Sequence, residues 1–433
     1  MISSRDYFSI NVKAIWIQLR QEPYYFWCLC FYLIFEYVRP QAIYTSIDVI
    51  PYAKIFVLLA IIGSLLDKKT SKVPSPLTKY FWGLMLVVVL SATFAEFPEI
   101  AFANINTPLN WLIIYYIFIR IVTTKFRYFT VILLIMLATY KMSQHAAIAW
   151  VRRDFAFDRW GVSGGLGLFG NAADLGVQML VILPLSVFLI LRCYSYWGIL
   201  KKIFFSLFPI SILMAIIATG ERNTLVGLVA ICIVSALATK KRIRNLFVMS
   251  IFMMCIFAVM PEQFRDRFDT IGTDNTSQSR LRYWNRGIDF FIEHPILGIG
   301  YNNWVPYYQK YYPGESLRGE HQEVAHSTPI TVLAELGILG AIFYYCIAFN
   351  TLTVNFRTMK IPCSDMQGFW DDIPFALNVG LVGFLVASLF LSITFYPFLF
   401  IQASLSAALY NIRLNENRSI NHVISSIHCV KTN

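Results

Sequence analysis

The sequence predicts an all-α polytopic membrane protein of about twelve spanning helices, with one large outer loop between the ninth and tenth. Three observations predict it. Of 433 residues, 57% are hydrophobic and only 14% charged, against roughly 25% charged in an ordinary soluble domain. Apolar runs near the ~20 residues that cross a bilayer recur along almost the whole chain. Basic residues concentrate in alternate connections, which assigns each connection a side.

The N-terminal stretch MISSRDYFSINVKAIWIQLRQEP is polar and amphipathic, without the short apolar core and small-residue cleavage site of a signal peptide, so it is expected to stay cytoplasmic. Span cores follow at 24–38, 52–66, 80–95, 109–122, 128–150, 172–191, 203–218, 223–238, 246–260, 327–350, 375–395 and 397–412. The last two are divided only at Tyr396-Pro397. The organisation expected is spans one to nine in 1–260, an outer loop domain with short helices in 261–326, and spans ten to twelve with a cytoplasmic tail in 327–433. Together these form one integrated membrane domain.

Even-numbered connections carry Lys68, Lys69, Lys72 and Lys79, then Arg120, Lys125 and Arg127, then Arg192, Lys201 and Lys202, then Lys240, Lys241, Arg242 and Arg244, then Arg357 and Lys360. The positive-inside rule makes these cytoplasmic, and both termini fall on that side. The eight cysteines lie in apolar runs or cytoplasmic connections and show neither a disulfide framework nor a zinc spacing.

The outer side is unusual in the kind of its cations. It holds Arg39, Arg152, Arg153, Arg159, Arg222, Arg265, Arg267, Arg280, Arg282, Arg286 and Arg318, with Lys310 as its one lysine. Arginine presents a rigid fork of donors that matches phosphate oxygens, whereas lysine is a mobile point charge. An anionic ligand on that face, phosphate first, is the expectation.

Three outer features carry the candidates. In Trp150 to Asn171, Arg152, Arg153 and Arg159 precede Gly161, Gly164, Gly165, Gly167 and Gly170. The run suits a phosphate cradle or a re-entrant turn, and it lacks the Lys-Ser/Thr ending of a Walker loop. The short turn Thr219-Gly220-Glu221-Arg222-Asn223-Thr224 sets Arg222 at the mouth of two helices, where it can neutralise a phosphate or pair with Glu221.

The third feature is the outer loop. Ser279 to Glu293 has helical spacing, with Leu281, Trp284, Ile288 and Phe291 as the apolar face and a stop at His294-Pro295. Arg282, Arg286, Asp289 and Glu293 form the opposite, mainly solvated face, where acids offset arginines at i,i+3 and i,i+4. Arg280 sits at the edge of the apolar face beside Trp284 and Gly287, so it is the ligand candidate. Trp304, Tyr307, Tyr308, Tyr311 and Tyr312 suit either sugar faces or a membrane-interface belt.

His326 precedes Ser327-Thr328-Pro329, which predicts a helix start with Thr328 as cap and Pro329 in the first turn position. The positive end of that helix favours an anion nearby and a neutral imidazole, able to take a proton. Glu320, His321, Glu323 and His326 match no standard metal spacing, so no metal or other cofactor is expected. Glu335, two turns on, is an intramembrane acid and so a functional or paired group by default; Lys141 and His145 rank below it.

At this point the residues resemble a family. SRLRYW, then EHPILGIGYNNW, a tyrosine-rich linker, and AHSTPITVLAELGILG resemble the O-antigen ligase and polymerase superfamily, as do GLFGNAADLGVQMLVILPLSVFLI and ATGERNTLVGL, so the likeness spans roughly 160–345. The resemblance implies a bacterial inner-membrane glycosyltransferase of the GT-C type that moves a glycan from undecaprenyl pyrophosphate to an acceptor on the periplasmic side. Carried over by position, His326, Arg280 and Arg222 are its catalytic candidates, and Arg159, Arg282, Trp284, Tyr301, Trp304 and Glu335 its substrate-binding candidates. Here the turn reads Glu-Arg-Asn where the family more often has Ser-Arg-Gly, and Ser327 stands where many members have Asn.

The expected partners are the lipid-linked donor, an acceptor (lipid A core, a glycan or a protein) and membrane lipids, with no nucleic acid. A polytopic transporter is the rival from another class. It predicts broken helices near the midplane and internal repeats, neither of which is visible in the sequence. A structural scaffold leaves the arginine bias unexplained.

Overall fold

The computed structural model describes residues 4–67, 75–156, 161–164, 169–259, 275–315, 324–362 and 369–431. Among these residues there is no strand. The helices run α1 (Ser4–Phe8), α2 (Val12–Leu19), α3 (Tyr24–Leu33), α4 (Pro40–Ile43), α5 (Tyr52–Leu66), α6 (Thr78–Thr93), α7 (Pro98–Asn104), α8 (Asn106–Ile121), α9 (Lys125–Val151), α10 (Ala172–Cys193), α11 (Ile199–Ala218), α12 (Arg222–Leu237) and α13 (Arg242–Val259). After them come α14 (Asn275–Glu293), α15 (Trp304–Tyr311), α16 (Thr328–Lys360), α17 (Phe369–Ala387) and α18 (Pro397–Lys431).

Among the described residues, five helical stretches are long and apolar enough to cross a bilayer: Lys125–Val151, Ala172–Tyr196, Ile199–Ala218, Thr328–Lys360 and Phe369–Phe390. Shorter apolar helices stand at Tyr52–Leu66, Thr78–Thr93 and Arg222–Leu237. This is an all-helical membrane protein by length and composition. Helix backbones approach closely among α10, α12 and α17. A Cβ on Gly380 would stand 2.5 Å from the Val181 carbonyl oxygen, and one on Gly227 would stand 2.9 Å from the Gly383 carbonyl oxygen. Small residues let these backbones touch, as association within lipid requires.

The helix that follows His326 departs from expectation. The sequence predicts an uninterrupted tenth span and shows no broken helix, yet α16 is broken at Gly337, whose φ of 62° and ψ of −164° are non-helical. The cause is the turn at 295–300, which crosses the break. Ile299 and Gly300 donate to the carbonyls of Ala334 and Glu335 at 2.8 and 3.3 Å, while Ile338 and Leu339 donate to those of Pro295 and Ile296 at 2.9 and 3.4 Å. The four groups that would have bonded each other within the helix are thus all satisfied by the crossing turn, as backbone in an apolar medium must be.

Outside the bundle's main core, α14 and α15 build a second one from Tyr283, Phe290, Ile299, Trp304, Tyr307, Tyr308, Ala325 and Ala334. The face of α14 turned to the protein is therefore Tyr283, Gly287 and Phe290, while Leu281 and Ile288 are exposed. The apolar face expected from the sequence is thus displaced by one residue toward Tyr283, Gly287 and Phe290, which pack in the second core or against α16.

Candidate functional site

Three helix starts meet the segment 388–396 at one end of the bundle. In α16 the sequence expectation of a Thr328 cap is corrected. Ser327 occupies the cap position without a side-chain bond, and Thr328 and Pro329 open the helix. The Thr328 hydroxyl is taken elsewhere: it donates to the Leu391 carbonyl at 2.6 Å and accepts the Ile393 N–H at 3.1 Å. The Ser392 hydroxyl accepts the Ser327 N–H at 3.3 Å and bonds the Thr331 hydroxyl at 2.9 Å.

His326 immediately precedes this anchored turn. It is half-buried and held at φ 48°, a left-handed conformation rare outside glycine. Such backbone persists where its surroundings impose it. One fastening is visible next door: the Trp284 indole N–H donates to the Ala325 carbonyl at 2.9 Å, and its ring lies 6.3 Å from that of Phe390. Arg280, half-buried, lies one turn before Trp284 on the same side of α14. A Cβ on Gly287 would come within 2.3 Å of Ile330, so α14 lies directly on the first turn of α16.

The other helix starts bring Arg222 and Asp174. Arg222, half-buried, is the first residue of α12 and follows Glu221 at its cap position. Asp174 is buried in the first turn of α10, where the Tyr396 hydroxyl bonds its carboxylate and the charge of Glu221 is felt. The glycine-rich stretch closes on this turn. Val162 donates to the Ala218 carbonyl at 3.0 Å, and a Cβ on Gly161 would lie 1.9 Å from the Thr219 carbonyl oxygen.

Other candidates go elsewhere. Arg282 donates to the Glu315 carbonyl at 3.0 Å. Arg286 pairs with the Glu315 carboxylate, bonds Asp289 at 3.2 Å, and lies 4.1 Å over the Tyr312 ring. The expected offset by an acid three residues on is present, but the main partner is off the helix, so neither arginine is merely solvated. The Arg286 bond holds the Glu315 carboxyl below its ordinary range. Trp304 and Tyr301 are 3% and 5% exposed: Trp304 packs 5.3 Å from the Phe290 ring, and Tyr301 stands edge-on to Phe395 at 5.4 Å. Tyr307 and Tyr308 are buried in the same small core, which corrects the sugar-face or interface-belt expectation for that pair.

Glu335 is 9% exposed, and its carboxylate accepts the Trp304 N–H at 3.1 Å. Lys141 and His145 are exposed on α9. Arg159, Arg265, Arg267, Arg318, Glu320, His321 and Glu323 lie outside the described residues.

Residues 207–345 match the family model described as O-antigen ligase. This segment belongs to the O-antigen ligase superfamily. No curated protein matches the chain. The O-antigen ligase segment holds Arg222, Arg280, Arg282, Trp284, Tyr301, Trp304, His326 and Glu335 and leaves out Arg159. Members of the family are glycosyltransferase-like enzymes, with lipid-linked glycan and acceptor partners in general. Asp174, Ser392 and Tyr396, which also fall outside it, escaped the sequence reading. An acid at the head of a 22-residue apolar helix was the available signal for Asp174.

Proposed function

We propose that the protein is an inner-membrane glycosyltransferase that moves a glycan from undecaprenyl pyrophosphate to an acceptor hydroxyl on the periplasmic face, with lipid A core as acceptor. Both termini are then cytoplasmic, and the bundle has about twelve spans. The observation that carries the reading is the fastening of α14, the helix of Arg280, to the chain just before His326 through the Trp284 indole N–H, which supports a shared role for Arg280 and His326.

The acceptor oxygen attacks the anomeric carbon as the bond from that carbon to the pyrophosphate oxygen breaks. The electron pair leaves with undecaprenyl pyrophosphate, so the carbon inverts. His326 orients the hydroxyl or takes its proton and passes it to water. Arg222 and Arg280, with Arg159 in support, neutralise the leaving pyrophosphate, a role a divalent ion fills elsewhere. Arg282 and Glu335 act indirectly, by holding the outer loop and α15 in place. Polymerisation of glycan units and transfer to protein use the same chemistry and differ in the acceptor.

The break at Gly337 is a feature that the transporter reading predicts. Its freed backbone groups are occupied by the turn at 295–300 rather than turned to a substrate, which weighs for the enzyme.

The test uses purified protein, undecaprenyl-pyrophosphate-linked glycan and lipid A core, glycan or peptide acceptors, with and without chelator. Transfer that survives chelation and is lost in His326→Ala supports the mechanism, and the acceptor consumed decides among the three roles. Absence of transfer to every acceptor sinks the reading, and loss on chelation sinks the arginine-for-metal part alone.

A further inference from the structure

We propose that Asn223 is a specificity-determining residue that reads the first sugar of the donor, through the substituent beside the anomeric carbon. This rests on the transferase reading above. Asn223 is the second residue of α12 and directly follows Arg222. It is 5% exposed, and among the described residues neither its amide nitrogen nor its amide oxygen has a hydrogen-bond partner. The Thr224 hydroxyl beside it, fully buried, also has none among them. Leaving a buried polar group unmet costs roughly 1–3 kcal/mol, so an apolar residue would make a more stable helix start here. Asn303, fully buried, is by contrast satisfied: its oxygen accepts the Phe97 N–H at 2.8 Å, and its nitrogen donates to the carbonyls of Phe97 and Tyr301 at 3.2 and 3.0 Å. Asn411 in α18 is the other buried asparagine with both amide atoms unmet among the described residues, and it does not adjoin a candidate arginine of the site.

The unmet groups define what would satisfy them. An amide offers two donors and an acceptor. Phosphate oxygens only accept when ionised, so pyrophosphate would leave the Asn223 oxygen unmet. A sugar hydroxyl or acetamido group both donates and accepts, and so satisfies both ends at once. With the pyrophosphate on Arg222, the first sugar, with the substituent beside its anomeric carbon, is the part of the donor proposed for Asn223. The ligand group is therefore a donor-plus-acceptor substituent on carbon 2 of the first sugar.

The experiment compares three donors on undecaprenyl pyrophosphate, with hydroxyl, acetamido or hydrogen at carbon 2. The kcat/KM of each is measured for the full-length wild type, Asn223→Leu and Asn223→Ser. The wild type is expected to favour one of the first two over the deoxy donor by roughly tenfold to a hundredfold, the worth of one or two neutral hydrogen bonds. Which one it favours separates hydroxyl from acetamido. In Asn223→Leu that ratio is expected to fall close to one with no drop in unfolding temperature; if this variant does not fold, a lowered ratio in Asn223→Ser carries the same conclusion. A ratio unchanged in the folded variants overturns the proposal and leaves the amide to a buried water. A wild type that transfers from none of the donors overturns the transferase reading and the proposal together.

Discussion

The Glu335 carboxylate accepts the backbone N–H of Trp304 at 3.1 Å, while its own backbone carbonyl accepts the Ser91 hydroxyl at 2.8 Å and the Gly300 N–H at 3.3 Å. One residue thus caps the first turn of α15 and holds the turn that crosses the broken helix. An acceptor at a helix start contributes about 1 kcal/mol, and leaving its partner unmet in a buried place costs more. Glu335→Ala is expected to lower stability by roughly 1–3 kcal/mol, read as a lower unfolding temperature in detergent. Glu335→Gln keeps an acceptor oxygen and should lose much less. Equal losses in the two variants would mean that the charge, not the bond, matters.

The crossing at Gly337 makes a sharper prediction. A Cβ there would lie 2.4 Å from the Ile296 carbonyl carbon and 2.7 Å from the Gly298 nitrogen, at a φ of 62° that side chains disfavour. The neighbours are backbone and cannot swing away. Gly337→Ala should give little folded protein by size-exclusion chromatography, whereas Gly314→Ala, with nothing within 4 Å among the described residues, should behave as wild type.

This crossing also shows where sequence reading stops. The all-helical membrane character is legible because hydropathy is a property of composition. Leu336-Gly337-Ile338 is as apolar as its surroundings, and the break depends on a partner turn some forty residues earlier. Among the candidate residues, Arg280, Arg222 and His326 stand out by residue type in polar connections. The Thr328 bond to Leu391 joins residues 63 apart in the chain, and no local pattern announces it. The tyrosines mislead for a related reason: aromatic side chains that suit a sugar also suit a small core, and only the position of Phe290 between Trp304 and Tyr307 decides.

Trp284 tests the fastening next to His326. Trp284→Phe keeps most of the ring against Phe390 but removes the N–H given to the Ala325 carbonyl. Loss of one neutral hydrogen bond is worth about 0.5–1.5 kcal/mol, so kcat is expected to fall between twofold and tenfold with the unfolding temperature nearly unchanged. Full activity in this variant would detach Trp284 from the placement of His326.

The arginines of α14 divide by partner, and acid separates them. Arg286 holds the Glu315 carboxyl below its ordinary range, so the folded state binds this proton less readily than the unfolded chain does. The stabilisation is fully present above the unfolded carboxyl value of about 4.3. It is lost as pH falls through the folded value, which lies lower. In the wild type, the tryptophan fluorescence of the α14–α15 unit should therefore show an acid transition below about pH 4.3. Glu315→Gln should be less stable near neutrality, with that part of the acid dependence removed, and Arg286→Ala should resemble it. Arg280→Ala should leave the acid profile as in the wild type, because Arg286 and Arg282 are the arginines that act on Glu315, and should abolish transfer if the role proposed for it with the donor holds. An Arg280→Ala protein that is folded and still transfers would remove it from the mechanism, whereas an altered acid profile in that variant would make it a structural residue of α14.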